Sequence, residues 1–243
     1  MEESRYDLST FLNEKTRFYQ RKDGFRFGTD TFLLADFVRV KGGERLIELG
    51  TGCGVIPILL LLKTPALTAV GIDVLEENTL LAEKNAEINR VSDRFTALTL
   101  NVKDVKSSFK AGEFDVVVSN PPFIEVERGS VSSKGHRAVA RQEITAKLED
   151  FIKAASYLLK HRGRFYLMLP AFRLTDALTL LRASRLEPKR LRFIHPREGR
   201  EATLFLLEAV KGGGKGLTVE PPLVVYSGEG YTPEVEKKYR EFL

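Results

Sequence analysis

Residues 45–55 read Arg-Leu-Ile-Glu-Leu-Gly-Thr-Gly-Cys-Gly-Val, and this stretch decides the fold class. The apolar run Arg45 to Leu49 predicts a short buried strand, and the run Val55 to Lys63 predicts a helix. Glycines between them allow the chain to turn sharply and let a ligand approach the backbone. These glycines are Gly50, Gly52 and Gly54. The pattern is strand, tight loop, helix.

Strands and helices continue to alternate through the rest of the chain. Further strands are predicted at Ala69–Asp73, Ala97–Leu100, Phe114–Ser119, Arg164–Leu169, Lys189–Ile194 and Thr203–Val210. Helices are predicted at Glu76–Arg90, at Leu148–Leu159 with Gly163 as a stop signal, and around Leu174–Leu181. The last two strands have no helix between them, which favours antiparallel pairing at an edge. The prediction is an α/β fold whose seven-stranded, mostly parallel sheet has one antiparallel edge strand and helices on both faces.

Composition narrows the class of protein. With 243 residues, 43% of them hydrophobic, the chain can bury one substantial core. No apolar run reaches the length of a membrane span, and Met1 to Arg5 lacks signal-peptide character, so we expect a cytoplasmic protein without a membrane partner. The single cysteine, Cys53, excludes an intrachain disulfide, and we expect no bound metal. Charged residues make up 29% of the chain, with two glutamines and two methionines, which predicts a thermophilic source.

Two acidic residues follow the glycine loop at the ends of later strands. The loop spacing, G-x-G-x-G preceded by Glu48, differs from the G-x-G-x-x-G of pyrophosphate-binding loops and favours another nucleoside cofactor. Asp73 ends the next strand, where a carboxylate can accept both hydroxyls of a ribose. Asp104 follows the third strand and can accept a hydrogen bond from the adenine amine of the cofactor.

The segment Asn120-Pro121-Pro122-Phe123 follows the buried strand Phe114–Ser119. The two prolines stiffen the turn and donate no backbone hydrogen bonds. The Asn120 side-chain oxygen and the Pro121 carbonyl can therefore accept both hydrogens of a planar amine, and Phe123 offers a stacking face for a base. This geometry predicts methyl transfer to the exocyclic amine of an adenine.

The formal net charge of +5 and the pI near 9.2 tolerate a polyanionic partner. Two basic groups are candidate RNA phosphate contacts on either side of the cleft. They are Lys134, Arg137 and Arg141 in one group, and Arg190, Arg192, Arg197 and Arg200 in the other.

These motifs, in this order, resemble class I methyltransferases that act on amine or amide nitrogens and use S-adenosyl-L-methionine. Residues 25–35, preceded by Tyr19 and Gln20, and the segment Ala140-Arg141-Gln142-Glu143 resemble the bacterial tRNA adenine-N6-methyltransferases that modify valine tRNA beside its anticodon. The similarity extends from about Tyr19 to the region of Tyr226.

The resemblance implies a Rossmann-like domain at residues 41–211, an N-terminal cofactor-capping segment at residues 1–40 and a C-terminal surface tail at residues 212–243. It implies a cofactor site formed by Phe27, Thr29, Asp30, Glu48, Gly50, Thr51, Gly52, Gly54, Asp73, Asp104 and Asn120. It also implies catalysis by the segment Asn120 to Phe123. Many relatives have tyrosine where this chain has Phe123, so stacking is retained but a hydroxyl is lost.

Three functions fit this sequence to different degrees. The first is N6-methylation of an adenine in tRNA. The second is methylation of a protein glutamine, because an amide suits the same pair of acceptors. The third is a non-catalytic RNA-binding module, which the intact Asn120-Pro121-Pro122 segment disfavours. DNA adenine methylation is disfavoured because no separate target-recognition domain is evident.

Overall fold

The structure is a computed structural model and describes residues 6–11, 13–22, 27–121 and 146–242. Strands β1 (Tyr6–Phe11) and β2 (Asn13–Arg21) form an antiparallel hairpin of their own, which the sequence analysis did not predict. Helix α1 (Thr29–Phe37) follows. Its residues from Thr31 to Ala35 are all buried, so this helix belongs to the core rather than to a loose extension.

The central domain begins with the predicted strand, loop and helix. Strand β3 and helix α2 have the predicted bounds, and so does the fourth predicted strand, β6. The elements up to this point are β3 (Arg45–Leu49), α2 (Val55–Lys63), β4 (Thr68–Asp73), α3 (Glu76–Ile88), β5 (Phe95–Thr99), α4 (Val105–Ser108) and β6 (Phe114–Ser119). The later elements are α5 (Leu148–Leu158), β7 (Leu159–Pro170), α6 (Leu174–Ala183), β8 (Leu186–Arg197), β9 (Leu204–Lys211), β10 (Thr218–Val219), β11 (Leu223–Ser227), β12 (Gly230–Tyr231) and α7 (Pro233–Glu241).

The predicted fold class is confirmed, but the strand count is not. Within the described ranges, the main sheet contains ten strands in the order β12-β11-β8-β9-β7-β6-β3-β4-β5, with β10 pairing to β8. Strand β9 is antiparallel to both β7 and β8. It therefore lies inside the sheet. The prediction placed the antiparallel strand at the edge of the sheet, and that position was wrong.

The additional strands come from the predicted surface tail. Strand β11 pairs parallel with β8, and β12 pairs antiparallel with β11. Leu223, Val225, Val235 and Phe242 are all buried against the core. The strands of this segment have two to five residues, too few for alternation to be visible in the sequence, and their pairing partners lie far away in the chain.

Gly163 was expected to end a helix, and this expectation was wrong. The helix α5 ends at Leu158, and Gly163 lies within β7. The pairing of β7 with β6 jumps from Leu159 opposite Phe114 to Arg164 opposite Val116, which marks a bulge. A Cβ atom at Gly163 would lie 2.9 Å from the Lys160 carbonyl oxygen, so the bulge requires glycine.

Helices cover both faces of the sheet. Residues of α1, α2 and α3 share one apolar cluster, and residues of α5 and α6 share the other. Among the described residues, no helix has the length and apolar character needed to cross a membrane. Strands β3, β4, β6, β7 and β8 run in the same direction, so their carboxyl ends meet at one edge, where ligands of such sheets bind.

Candidate active site

The loop between β3 and α2 is built on left-handed backbone. Gly50, Gly52 and Gly54 have φ angles of +77°, +53° and +79°, which L side chains rarely adopt. A Cβ atom at Gly54 would lie 2.9 Å from the Ala82 Cβ, so this glycine allows α2 and α3 to pack closely. A Cβ atom at Gly52 would meet nothing within 4 Å, so the loop is open there. The open side offers backbone that a ligand can approach.

Glu48 is buried beneath this loop. The residue is only 2% exposed, and Thr51 Oγ1 donates a hydrogen bond to Glu48 Oε2 at 2.7 Å. Burial raises the pKa of Glu48 well above its ordinary value, while the Thr51 hydrogen bond opposes the shift and the nearby charge of Asp73 adds to it. Gly71 on β4 makes room for Thr51, since a Cβ atom there would lie 2.7 Å from Thr51 Oγ1.

Asp73 ends β4 and is held by amide donors. The backbone nitrogen of Gly52 donates to Asp73 Oδ2 at 2.9 Å, and that of Leu75 donates to Oδ1 at 3.0 Å. The Asn78 side chain donates to Oδ1 at 3.1 Å. Burial raises the pKa of Asp73 and these hydrogen bonds oppose the shift. The carboxylate is thus fixed beside the glycine loop, where the sequence analysis expected a ribose.

Asn120 directly follows β6, and its side-chain oxygen differs from the neighbouring polar groups in its hydrogen bonding. Its Oδ1 atom is buried and has no hydrogen-bond partner within the part of the chain that the structure describes. Leaving a buried acceptor unsatisfied costs about 1–3 kcal/mol. The adjacent strand ends are fixed, because Ser119 Oγ donates to the Leu49 carbonyl at 2.9 Å. Pro121 is buried, whereas Pro122 and Phe123 lie outside the described residues.

The N-terminal candidates lie on one segment before and within α1. The Phe27 backbone nitrogen donates to Gln20 Oε1 at 3.1 Å, which ties the segment to the hairpin. Thr29 Oγ1 lies 2.6 Å from the Tyr231 hydroxyl of the C-terminal segment. Asp30 is half-buried in the first turn of α1. Asp104 is exposed after β5 and so remains available to a ligand.

The sequence analysis missed two asparagines that bind the hairpin. The Asn85 side chain on α3 accepts from the Tyr19 nitrogen at 2.7 Å and donates to the carbonyls of Tyr19 and Cys53, so it joins the hairpin to the glycine loop. Asn89, directly after α3, donates to the Arg17 carbonyl at 2.7 Å. Both residues are buried. Amides spaced four residues apart on a helix face were the signal that could have revealed this contact.

Two of the arginines predicted to contact phosphates are held in ion pairs within the fold. The Arg190 guanidinium pairs with Glu208 at 2.9 Å and Glu220 at 3.2 Å, and lies 3.7 Å from the Phe37 ring centroid. Its third nitrogen donates to the Phe37 carbonyl. Arg192 pairs with Glu234 of α7 at 2.7 Å. Both guanidinium groups thus have acidic partners within the fold.

Of the five remaining basic candidates, the structure describes two. Arg197 and Arg200 are exposed at and beyond the carboxyl end of β8, on the same edge as Asn120. Lys134, Arg137 and Arg141 lie outside the described residues.

In the described ranges, no group of three or more histidine, cysteine, aspartate or glutamate side chains is placed to hold a metal ion.

The comparison with known families now decides the class of this protein. The family model of the methyltransferase small domain matches residues 22–181, from directly after the hairpin to α6. The chain belongs to the methyltransferase small domain family. A methyltransferase of this family uses S-adenosyl-L-methionine, and the open glycine loop with its buried acids fits a nucleoside cofactor of that kind.

Two curated relatives and one solved structure agree with this assignment. The chain is 30% identical over 163 residues to the tRNA1(Val) (adenine(37)-N6)-methyltransferase of Flavobacteriaceae bacterium (strain 3519-10), covering 67% of each chain. It is 30% identical over 189 residues to the enzyme of the same name from Porphyromonas gingivalis, covering 75% of this chain and 73% of the relative.

A predicted O-methyltransferase from Agrobacterium tumefaciens has the same fold as this methyltransferase. The two structures superpose with a TM-score of 0.72 at 22% sequence identity, covering 88% of this chain and 96% of the other. At this identity the likeness concerns the fold alone.

Proposed function

We propose that this methyltransferase transfers a methyl group to N6 of an adenine in tRNA, in the anticodon loop of valine tRNA. Both curated relatives described above carry that activity in their names. The observation in the chain itself that supports the proposal is the buried Oδ1 of Asn120 at the end of β6, which has no hydrogen-bond partner among the described residues. An acceptor that is buried without a partner suits a substrate that brings a donor.

The adenine amine brings two donors. In the proposed complex, Asn120 Oδ1 accepts one hydrogen of the amine and the Pro121 carbonyl accepts the other. These contacts draw the nitrogen out of conjugation with the ring, so its lone pair becomes available for bond formation. S-adenosyl-L-methionine, when bound, supplies the methyl group on its sulfonium. A nitrogen–carbon bond forms as the carbon–sulfur bond breaks, and the nitrogen then releases one proton to solvent.

The cofactor residues have separate proposed roles. Asp73 accepts the ribose hydroxyls, and Asp104 accepts from the adenine amine of the cofactor. Phe27, Thr29 and Asp30 line its methionine end above the glycine loop and Glu48. These roles are supported by the position of Asp73 beside the glycine loop and by the exposure of Asp104.

The direct test is identification of the methylated nucleoside. Incubation with labelled S-adenosyl-L-methionine and total tRNA that lacks the modification, followed by digestion, should give labelled N6-methyladenosine. The Asn120→Ala variant should give almost none. Label that appears only in added protein, as methylglutamine, would contradict the proposal, and so would the absence of any transfer to tRNA.

Contacts with the RNA backbone form a separate part of the proposal. We assign phosphate contacts to Arg197, Arg200 and the group Lys134, Arg137 and Arg141. The double change Arg197→Gln and Arg200→Gln should reduce the slope of log affinity against log salt by about one unit for each lost contact. Arg190→Gln is the matched control, because it removes an arginine that is committed to Glu208 and Glu220. A slope unchanged in the double variant would remove this edge from the phosphate path.

A further inference from the structure

Three tyrosines of the C-terminal segment form a stacked column that ends on α1. The Tyr226 and Tyr231 rings lie 5.4 Å apart at an interplanar angle of 17°, and the Tyr231 and Tyr239 rings lie 5.4 Å apart at 19°. Tyr239 stacks on Phe32 at 3.9 Å and 22°. Near-parallel stacking over four rings is a continuous aromatic surface and not a set of incidental contacts.

Hydrogen bonds fix the inner part of this column. The hydroxyl of Tyr231 lies 2.6 Å from Thr29 Oγ1, and the hydroxyl of Tyr239 also bonds to Thr29. Burial is the main cause that raises the pKa of Tyr239, so its hydroxyl stays neutral. The column is therefore anchored at one end to α1, and its rings lose little further entropy when something stacks on the other end.

The free end of the column lies on the catalytic edge of the sheet. Tyr226 pairs with Arg197 near the carboxyl ends of β11 and β8, which run parallel to each other. Strands β8, β7 and β6 share the same direction, so Tyr226 lies on the edge that carries Asn120. Four strand spacings separate β11 from β6, or about 19 Å, which a few nucleotides of single-stranded RNA can span.

The outer ring is accessible and is bordered by a guanidinium. Tyr226 is 38% exposed, and the Arg197 guanidinium carbon lies 5.9 Å from its ring centroid. Arg197 also donates to the Gly228 carbonyl, which orients it. Three exposed glutamates occupy the same two turns as Arg197 and Arg200, so this edge is not uniformly basic. They are Glu198, Glu201 and Glu229. Beside the phosphate contacts proposed for the two arginines, the edge offers a planar stacking surface.

We propose that Tyr226, supported by the tyrosine column and bordered by Arg197, is a stacking platform for an unpaired base of the RNA substrate, a few nucleotides from the methylated adenine. This inference rests on the proposed function and adds to it a second contact with the RNA. Aromatic rings and guanidinium planes are the surfaces on which single-stranded bases stack.

The test uses the full chain and an anticodon stem-loop of valine tRNA in which 2-aminopurine replaces one loop base at a time. Stacking quenches 2-aminopurine fluorescence. Wild type should quench the probe at one position away from the target adenine. Tyr226→Leu should lose that quenching and weaken RNA binding about 10-fold, the order expected for one stacked base. Tyr226→Phe should retain both properties, because it keeps the ring.

Leu80→Ala is the control, since Leu80 is an apolar side chain of α3 that is 49% exposed and lies outside the column. It should bind RNA as wild type does, and all variants should bind S-adenosyl-L-methionine normally. The platform is wrong if wild type methylates tRNA and Tyr226→Leu binds and quenches as wild type does. It is also wrong if Tyr226→Phe loses as much as Tyr226→Leu. Failure of wild type to methylate any tRNA would instead overturn the proposed function, and the platform with it.

Discussion

The ends of β4 and β6 lie on the same edge of the sheet and are completed in opposite ways. At the end of β4, the Asp73 carboxylate accepts hydrogen bonds from Gly52, Leu75 and Asn78. At the end of β6, the buried Asn120 Oδ1 accepts none from the residues that the structure describes. The β4 end is built before any ligand arrives, whereas we propose that the substrate completes the β6 end. A loss at β4 should therefore appear in both folding and binding, and a loss at β6 in chemistry.

The largest effect is expected at Asn120. Asn120→Ala should reduce single-turnover methyl transfer at saturating cofactor and tRNA by two to three orders of magnitude, about 3–4 kcal/mol, because it removes one acceptor that acts on the amine in the transition state. The melting temperature should not fall, since the lost oxygen has no partner among the described residues. Asn120→Asp keeps an acceptor but adds a charge, and should be intermediate. A wild-type rate for Asn120→Ala would show that the turn is only scaffolding.

A change at Asp73 should instead affect cofactor binding and stability. Asp73→Ala should weaken S-adenosyl-L-methionine binding by about 2–3 kcal/mol in calorimetry, the value of a charge-assisted pair of hydrogen bonds. It should also lower the free energy of unfolding, because the amides of Gly52 and Leu75 lose their acceptor. Asp73→Asn keeps one oxygen and should lose less of both. An unchanged dissociation constant in folded Asp73→Ala would remove this residue from the cofactor site.

Glu48, near the end of β3, tests what it costs the fold to bury a carboxyl group beneath the glycine loop. Its raised pKa means that the folded state favours the protonated carboxyl, so wild type loses stability as pH rises from about 4.5 through the pKa of the folded state. Glu48→Gln does not titrate and keeps an oxygen for Thr51. Its stability relative to wild type should therefore increase with pH, by about 1.4 kcal/mol for each unit of raised pKa. Urea unfolding at pH 5 and pH 8 measures this, and a difference independent of pH would contradict it.

The smallest effect is expected at Ser119, whose hydroxyl connects the ends of β6 and β3. Ser119→Ala should lower the free energy of unfolding by about 1 kcal/mol, the value of one buried hydrogen bond, and should change methyl transfer only slightly. Ser107→Ala is the matched control, because Ser107 makes the same kind of bond to a backbone carbonyl in an exposed position. It should cost no more than about 0.5 kcal/mol. Equal losses in the two variants would show that burial at Ser119 adds nothing.

The parts of the fold that the sequence predicted are those set by local signals. The bounds of β3, α2 and β6 follow from continuous apolar runs beside glycine or proline. The hairpin, the bulge at Gly163 and the strands β10 to β12 depend on pairing with distant segments, which no local period reveals. The same limit explains Arg190. Its acidic partners lie 18 and 30 residues away, so the sequence did not reveal that Arg190 is held in ion pairs within the fold.

The contacts of the site likewise divide into those that the sequence predicted and those that depend on the folded topology. The sequence identified Glu48, the glycine loop and Asp73, and the structure brings these residues together. The sequence could not show that Asn85 joins the glycine loop to the hairpin, or that Tyr231 contacts Thr29, because both contacts require the folded topology. The roles assigned to Asn120 and Asp104 stay predictions.

The contacts of α1 with β12 and α7 have a consequence for how the chain folds during synthesis. Thr29 meets Tyr231, and Asp36 meets Lys238 at 2.7 Å, in both cases across 202 residues of sequence. Helix α1 therefore emerges from the ribosome long before its partners exist, with the Phe32 ring lacking its cover from Tyr239. Contacts of such high sequence separation form late and slow folding. The segment that we propose to cap the cofactor site is thus among the last to be completed, so a nascent chain should bind S-adenosyl-L-methionine only after residues near 240 have been added.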